Sequence, residues 1–396
     1  MSIFSRSGAM IVIAVVVAAA APGARAQGEL PAWLHEGACL TFTWDAAVAP
    51  GNGSDYRPDE HGDWVNSATG EHYSRSTQHG TSGSGWSQAV IASIDGDKAV
   101  VGVQSFGDAG ALGRNVPVPL QGGSSFVTPI DQGGDYWISP AKLAALHTDA
   151  NAGTLVELVR WQAADRIVPA IRVQIISHGS YSLHIFDAKS GLCLHYATAV
   201  RGAAPKLVGP GDMGQRDVTL THGDLVGQRD LAIPWARDVM PAWLPKLKAL
   251  HYAGSIVSRG VLPTVPNDVK LDLLVTDRGQ NWVQLDSTSS MAMQGAPAIP
   301  PSTSTLAFGR AQFAGLWAGP ASLATLHRGQ ELDNDPITRM KTVVARIDDH
   351  SLVISQHNDA GEITSEYDKA TGMLTASSFV NCLSQQQLTV KLQSRE

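Results

Sequence analysis

The chain has 396 residues, 43% of them apolar and 16% charged, with 29 basic and 36 acidic side chains and a net charge of −7. The length suffices for two domains with true cores. The acid excess and the lack of any basic run argue against nucleic acid or an anionic membrane as partner.

Residues 1–26 read as an export signal. Arg6 supplies a short positive region, Ala9 to Ala21 is a 13-residue apolar run, and Ala24-Arg25-Ala26 offers the small-x-small cleavage pattern. The run is shorter than the roughly 18 apolar residues of a membrane-spanning helix. Cleavage after Ala26 is expected, giving a soluble periplasmic or secreted protein with no transmembrane segment. Two Arg lie in the signal, so the mature chain carries 27 basic and 36 acidic residues, a net charge of −9.

A duplication dominates the remainder of the chain. Tyr136–His147 (YWISPAKLAALH) and Leu316–His327 (LWAGPASLATLH) are identical at seven of twelve positions. In the same order, Pro31-Ala32-Trp33-Leu34 recurs as Pro241-Ala242-Trp243-Leu244, and Phe186–Leu192 matches Tyr367–Met373 in type. The Trp137/Trp317 and Asp187/Asp368 pairs are offset by 180 and 181, the Trp33/Trp243 pair by 210. The first copy therefore holds an insertion of about 30 residues, placed near 50–85. Residues 27–201 form β-rich module 1, 202–238 a bridge, and 239–396 module 2.

Within each module the front half predicts strands: CLTFTW, AVIASI and AVVGVQSF in the first, DVKLDLLV and NWVQLDS in the second. Ser139 caps and Pro140 starts a short helix, matched by Gly319 and Pro320. IRVQIIS, SLHIF and LCLHYATAV then alternate with turns, and Asp187–Gly191 and Asp368–Gly372 are equivalent turns. The fold class is mainly β (α+β): two tandem diverged copies of an antiparallel sheet, each with a short helix packed on it. Trp137 and Trp317 are expected to anchor helix to sheet, and Trp33 and Trp243 to close the start of each sheet. The repeated turn, aromatic-Asp-x-x-Ser/Thr-Gly-Leu/Met, resembles turns of exported bacterial β-meander proteins, including lipid-binding half-barrels.

The chemistry-bearing motifs dissolve on inspection. Gly209–Gly214 matches G-x-G-x-x-G, but Pro210 interrupts it and strand-like sequence comes after it. Ser139-Pro140-Ala141-Lys142 and Lys189-Ser190-Gly191 match fragments of penicillin-recognising serine enzymes, yet the second copy lacks the Ser and the Lys, and Ser139 is explained as a cap. His147 and His327 sit at matching helix C-termini, where an imidazole can bond the last carbonyls. No cofactor motif is present. Cys39 and Cys193 both fall on predicted strands of module 1; with Cys382 they allow either a Cys39–Cys193 bridge or three free thiols.

The insertion is the odd feature, carrying Asp55, Asp59, Glu60, His61, Asp63, Glu71, His72 and His79. Its weak metal candidates are Asp59, His61, Asp63, His72 and His79. The same stretch also reads as two solvated turns flanking DWVN. The expected function is non-catalytic binding or scaffolding in the envelope or extracellular space, with a groove between modules for a lipid, a glycan or another envelope protein. The alternative is an exported hydrolase or metal-dependent enzyme with its site near the insertion.

Overall fold

A computed structural model describes residues 30–59, 64–73, 83–108, 116–163, 166–177, 179–201, 217–258, 266–292 and 300–396. The expected signal segment lies outside these residues. Among them, no helix is long and apolar enough to cross a membrane.

Two ten-stranded antiparallel sheets dominate. The first begins with β1 (Ala38–Pro50). The insertion then forms β2 (Tyr56–Pro58), β3 (Trp64–Asn66) and β4 (His72–Tyr73), a small sheet of its own. The first sheet continues with β5 (Gly83–Asp95), β6 (Lys98–Asp108), β7 (Pro117–Pro119) and β8 (Ser124–Pro129). Helix α1 (Pro140–Ala145) comes next, then β9 (Thr154–Ala163), β10 (Arg166–Ser177), β11 (Ser180–Asp187), β12 (Cys193–Arg201) and β13 (Asp217–Asp230). The second sheet comprises β14 (Ala249–Ser258), β15 (Asn267–Arg278), β16 (Trp282–Ala292) and β17 (Ser302–Gly309), then, after helix α2 (Pro320–Leu323), β18 (Glu331–Asn334), β19 (Lys341–Ile347), β20 (Ser351–Asn358), β21 (Gly361–Asp368), β22 (Leu374–Asn381) and β23 (Gln386–Arg395).

Each sheet is a meander whose first strand pairs with its last: β1 with β13, and β14 with β23. This is the order of an up-and-down barrel opened at the helical connection. Val101 on β6 and Val173 on β10, six strand positions apart, feed one apolar cluster. That is consistent with a sheet curled around its core.

The two modules share structural details. The indole of Trp33 donates to the Ser190 carbonyl at 3.0 Å, and that of Trp243 to the Thr371 carbonyl at 2.8 Å. Trp137 bridges to Leu192, and Trp317 to Met373. Gly191 and Gly372 hold φ of 72° and 69°, and a Cβ at either would collide with the carbonyl of Ile138 or Ala318. The helices differ in one respect. Ser139 Oγ caps α1, accepting from the Lys142 amide at 3.3 Å. Gly319 has no side chain to do this; Asp238, from the linker, accepts from the Ser322 amide at 3.1 Å instead. A Cβ on residue 319 would occupy the space of that carboxylate.

The segment read as a bridge is structural in both directions. Its β13 completes the first sheet between β1 and β12, while Ile233 and Trp235 are buried in a core of the second module. The modules are docked through β17, which packs on β5, β6 and β8. Trp282 and Ala307 meet Ala92 and Val100 in a shared apolar cluster, and Arg310 pairs with Glu36 at 2.8 Å.

No disulfide forms between Cys39 and Cys193, and all three cysteines are free. Strand alternation separates the first two. Ala38, Leu40 and Phe42 enter the first core, where Cys193 also lies. Cys39 turns to the opposite face, toward Arg229, Asp333 and Asp335. Burial pushes the Cys39 thiol up to about 12 and raises Cys193 well above its ordinary range. Thiol titration of the native protein should therefore show one fast group, the exposed Cys382, and three after unfolding; two fast native thiols would contradict this packing.

Candidate functional site

The insertion folds because its aromatics have somewhere to go. Tyr56, Trp64 and Tyr73 join Tyr181, Ala197, Ala199, Val218 and Leu220 in an apolar cluster on the outer face of the first sheet. Trp64 meets Tyr181 edge-on at 6.0 Å, and Tyr56 meets Tyr73 at 5.5 Å. The Asn66–Gly70 turn closes through a 2.7 Å backbone bond, with Gly70 at φ 73°.

Of the metal candidates, Asp59 and His72 lie 3.8 Å apart. His61, Asp63 and His79 lie outside the described residues. Among the described residues, no group of three or more His, Cys, Asp or Glu is placed to hold a metal ion. Ser139 serves as the helix cap, and Lys142 reaches Asp131 at 3.6 Å. His147 and His327 are exposed.

The first module buries a pair that no sequence motif marks. His184 on β11 is 1% exposed and its Nε2 lies 2.8 Å from Asp135 Oδ1. Phe186 stacks on the imidazole at 5.7 Å, and Tyr196 is its cross-strand partner. Gly223 leaves room for the Tyr196 ring, whose Cε1 would sit 2.6 Å from an added Cβ. At the offsets of the repeat, module 2 has Gly315 and Ser365 at these two places. There the Tyr367 hydroxyl bonds the Gly315 carbonyl at 3.0 Å. Aligning the copies residue by residue would have exposed the difference.

A second feature lies on the outer face of the first sheet. Cross-strand register places Glu157, Arg172, Ile185, His195 and Asp224 in one line over β9 to β13. Thr43 of β1 continues it, accepting from the Asp224 amide at 3.2 Å, and Trp86 of β5 stands opposite Thr43. One residue pair along, Asp45 faces His222 at 3.5 Å. The Trp161 ring lies 5.2 Å from that of His195.

This strip has a wall on either side. Toward one end of the strands, module 2 covers the face: Arg229 pairs with Asp333, Gln88 bonds Asp335, and Ile337 sits over Gly227. Toward the other end, the β2–β4 sheet covers it. Between these walls Thr43, Asp45, Trp86, Trp161, His195 and His222 are part-exposed and Asp224 is exposed. Burial opposes ionisation of Asp224, but the His195 hydrogen bond and the charges of His195 and His222 outweigh it and hold its carboxyl below the ordinary range. The folded-state value being lowered, this contribution is present at neutral pH and is lost as the pH falls through the depressed value.

No protein-family model matches the chain, and no curated protein does either. Among solved structures, one similar chain is a protein of unknown function from the DUF3598 family of Nostoc punctiforme. It is 11% identical, with 90% of this chain and 95% of that chain covered and a TM-score of 0.14. Another is a double mutant of Transferrin Binding Protein B from Haemophilus parasuis, 8% identical, covering 93% and 79%, also at 0.14. Likeness at that TM-score carries no argument about fold or function.

Proposed function

We propose that the chain is an exported, non-catalytic binding or scaffold protein whose ligand lies in the walled strip on the outer face of module 1. The observation that carries this is the strip itself. It collects aromatic rings and hydrogen-bonding side chains from six strands between two packed walls, and it leaves them open to solvent. The Asp135–His184 pair offers no rival site for turnover, because its side chains, at 8% and 1% exposure, are closed to a substrate. The ligand belongs to the envelope or the extracellular space, in keeping with the export signal expected at residues 1–26.

Cosedimentation of the mature protein with washed envelopes of its source organism tests the proposal. Wild type is expected to bind saturably. Trp161→Ala and Asp224→Asn should each weaken binding about tenfold, the loss of one good aromatic or charge-assisted contact, with unchanged circular dichroism. Absence of envelope binding by the wild type, or full binding by both variants, would overturn it.

A further inference from the structure

Resting on that assignment of the strip, we infer that its ligand is a neutral saccharide chain. The first argument is charge. Along the register line Glu157 is paired to Arg172 and Asp224 to His195. Asp45 and His222 repeat this one step away. Each carboxylate of the strip is already engaged by Arg172 or an imidazole, which leaves no open row of acids for a polycation, and the acid excess of the whole chain adds repulsion toward anionic polymers.

The second argument is hydrogen-bond chemistry. A sugar hydroxyl both donates and accepts. The strip offers carboxylates that only accept, imidazoles that do either, and the Thr43 hydroxyl, which does both. A lipid tail would need a continuous apolar floor; this floor is interrupted by Asp45, Asp224, His195 and His222. The third is shape. Trp161 lies against His195 on β12, and Trp86 stands on β5, three strand spacings away, or about 14 Å. Two flat indoles at that separation, with polar groups between, suit the apolar C–H faces and polar rims of sugar rings set apart along one chain. The walls on both sides select a linear chain over a flat surface.

Periodate oxidation tests this for any sugar chain that carries vicinal diols. Periodate cleaves vicinal diols: the C–C bond between two hydroxyl-bearing carbons breaks, each carbon becomes a carbonyl, and periodate is reduced to iodate. Envelopes treated with periodate and then borohydride should lose at least tenfold in binding, whereas envelopes treated with protease should keep it. Vesicles of phosphatidylethanolamine and phosphatidylglycerol should not bind. An array of neutral glycans should give hits that Trp161→Ala weakens about tenfold and Trp161→Phe retains. Protease-sensitive binding, vesicle binding, or an array without neutral hits would each overturn the saccharide while leaving the strip as a binding surface for a protein or lipid; periodate-resistant binding with neutral hits on the array would narrow the ligand to chains without vicinal diols. A wild-type protein that ignores untreated envelopes would instead remove the proposed function on which this rests.

Discussion

Replacing Asp135 with alanine is expected to cost module 1 about 3–5 kcal/mol, the penalty for leaving one member of a buried, hydrogen-bonded pair without its partner. His184 is 1% exposed and is enclosed by Phe186, Tyr196 and the segment leading into α1. Its Nε2 loses the one hydrogen-bond partner it has there when the carboxylate is removed. Module 2 supplies the control, since the same fold closes there over Gly315 and Ser365. The double replacement Asp135→Gly with His184→Ser should therefore be less destabilising than Asp135→Gly alone, because it removes the stranded imidazole as well. Urea denaturation monitored by tryptophan fluorescence reads both. Additive losses in the double variant would show that the two side chains act independently. A loss below about 1 kcal/mol for Asp135→Ala would mean that water reaches the site.

How far the sequence reaches can be judged from particular residues. The duplication, the proline-started helices and the turns at Asp187–Gly191 and Asp368–Gly372 are legible because each is a local pattern in which a residue type answers a backbone need. Trp33 and Trp243 are expected to close each sheet; their indoles do so through one bond to the same turn carbonyl in each copy. Asp238 as the cap of α2 is not legible, since nothing local links it to a helix 82 residues on. The role of β13 is hidden for a similar reason. Val218-Thr219-Leu220-Thr221-His222 alternates and reads as a strand, but nothing local places it between β1 and β12. The Cys39–Cys193 bridge fails on strand alternation alone. Ala38, Leu40 and Phe42 mark the core face of β1, which puts Cys39 on the other side. The strip is beyond reach: its members come from seven strands, and only register brings Trp86, Asp224 and Trp161 onto one face.

That the same face serves two purposes makes the docking of the modules the other sensitive point. Arg229 projects from β13 and forks onto Asp333 with contacts of 2.5 and 2.9 Å, while its Nε lies 3.8 Å from Asp335. Asp335, 1% exposed, also accepts from Gln88 of β5 and from Thr338. Burial works against the charge on Arg229, but the Asp333 bond and the surrounding acids outweigh it and raise its affinity for the proton. Arg229→Ala removes the cation that faces both carboxylates and leaves them close together in the interface. The expected cost is about 2–5 kcal/mol. Arg229→Lys should recover little of it, because a point charge cannot reproduce the two-pronged contact. The loss should appear as weakened coupling: calorimetry of the wild type gives one cooperative transition, and that of Arg229→Ala gives two, with module 1 and module 2 melting separately. The wall that module 2 provides for the strip depends on the same contact, so Arg229→Ala should also weaken envelope binding without touching any strip residue. A variant that still melts in one transition and binds normally would show that the apolar seam of Trp282, Ala307, Ala92 and Val100 fixes the two modules on its own.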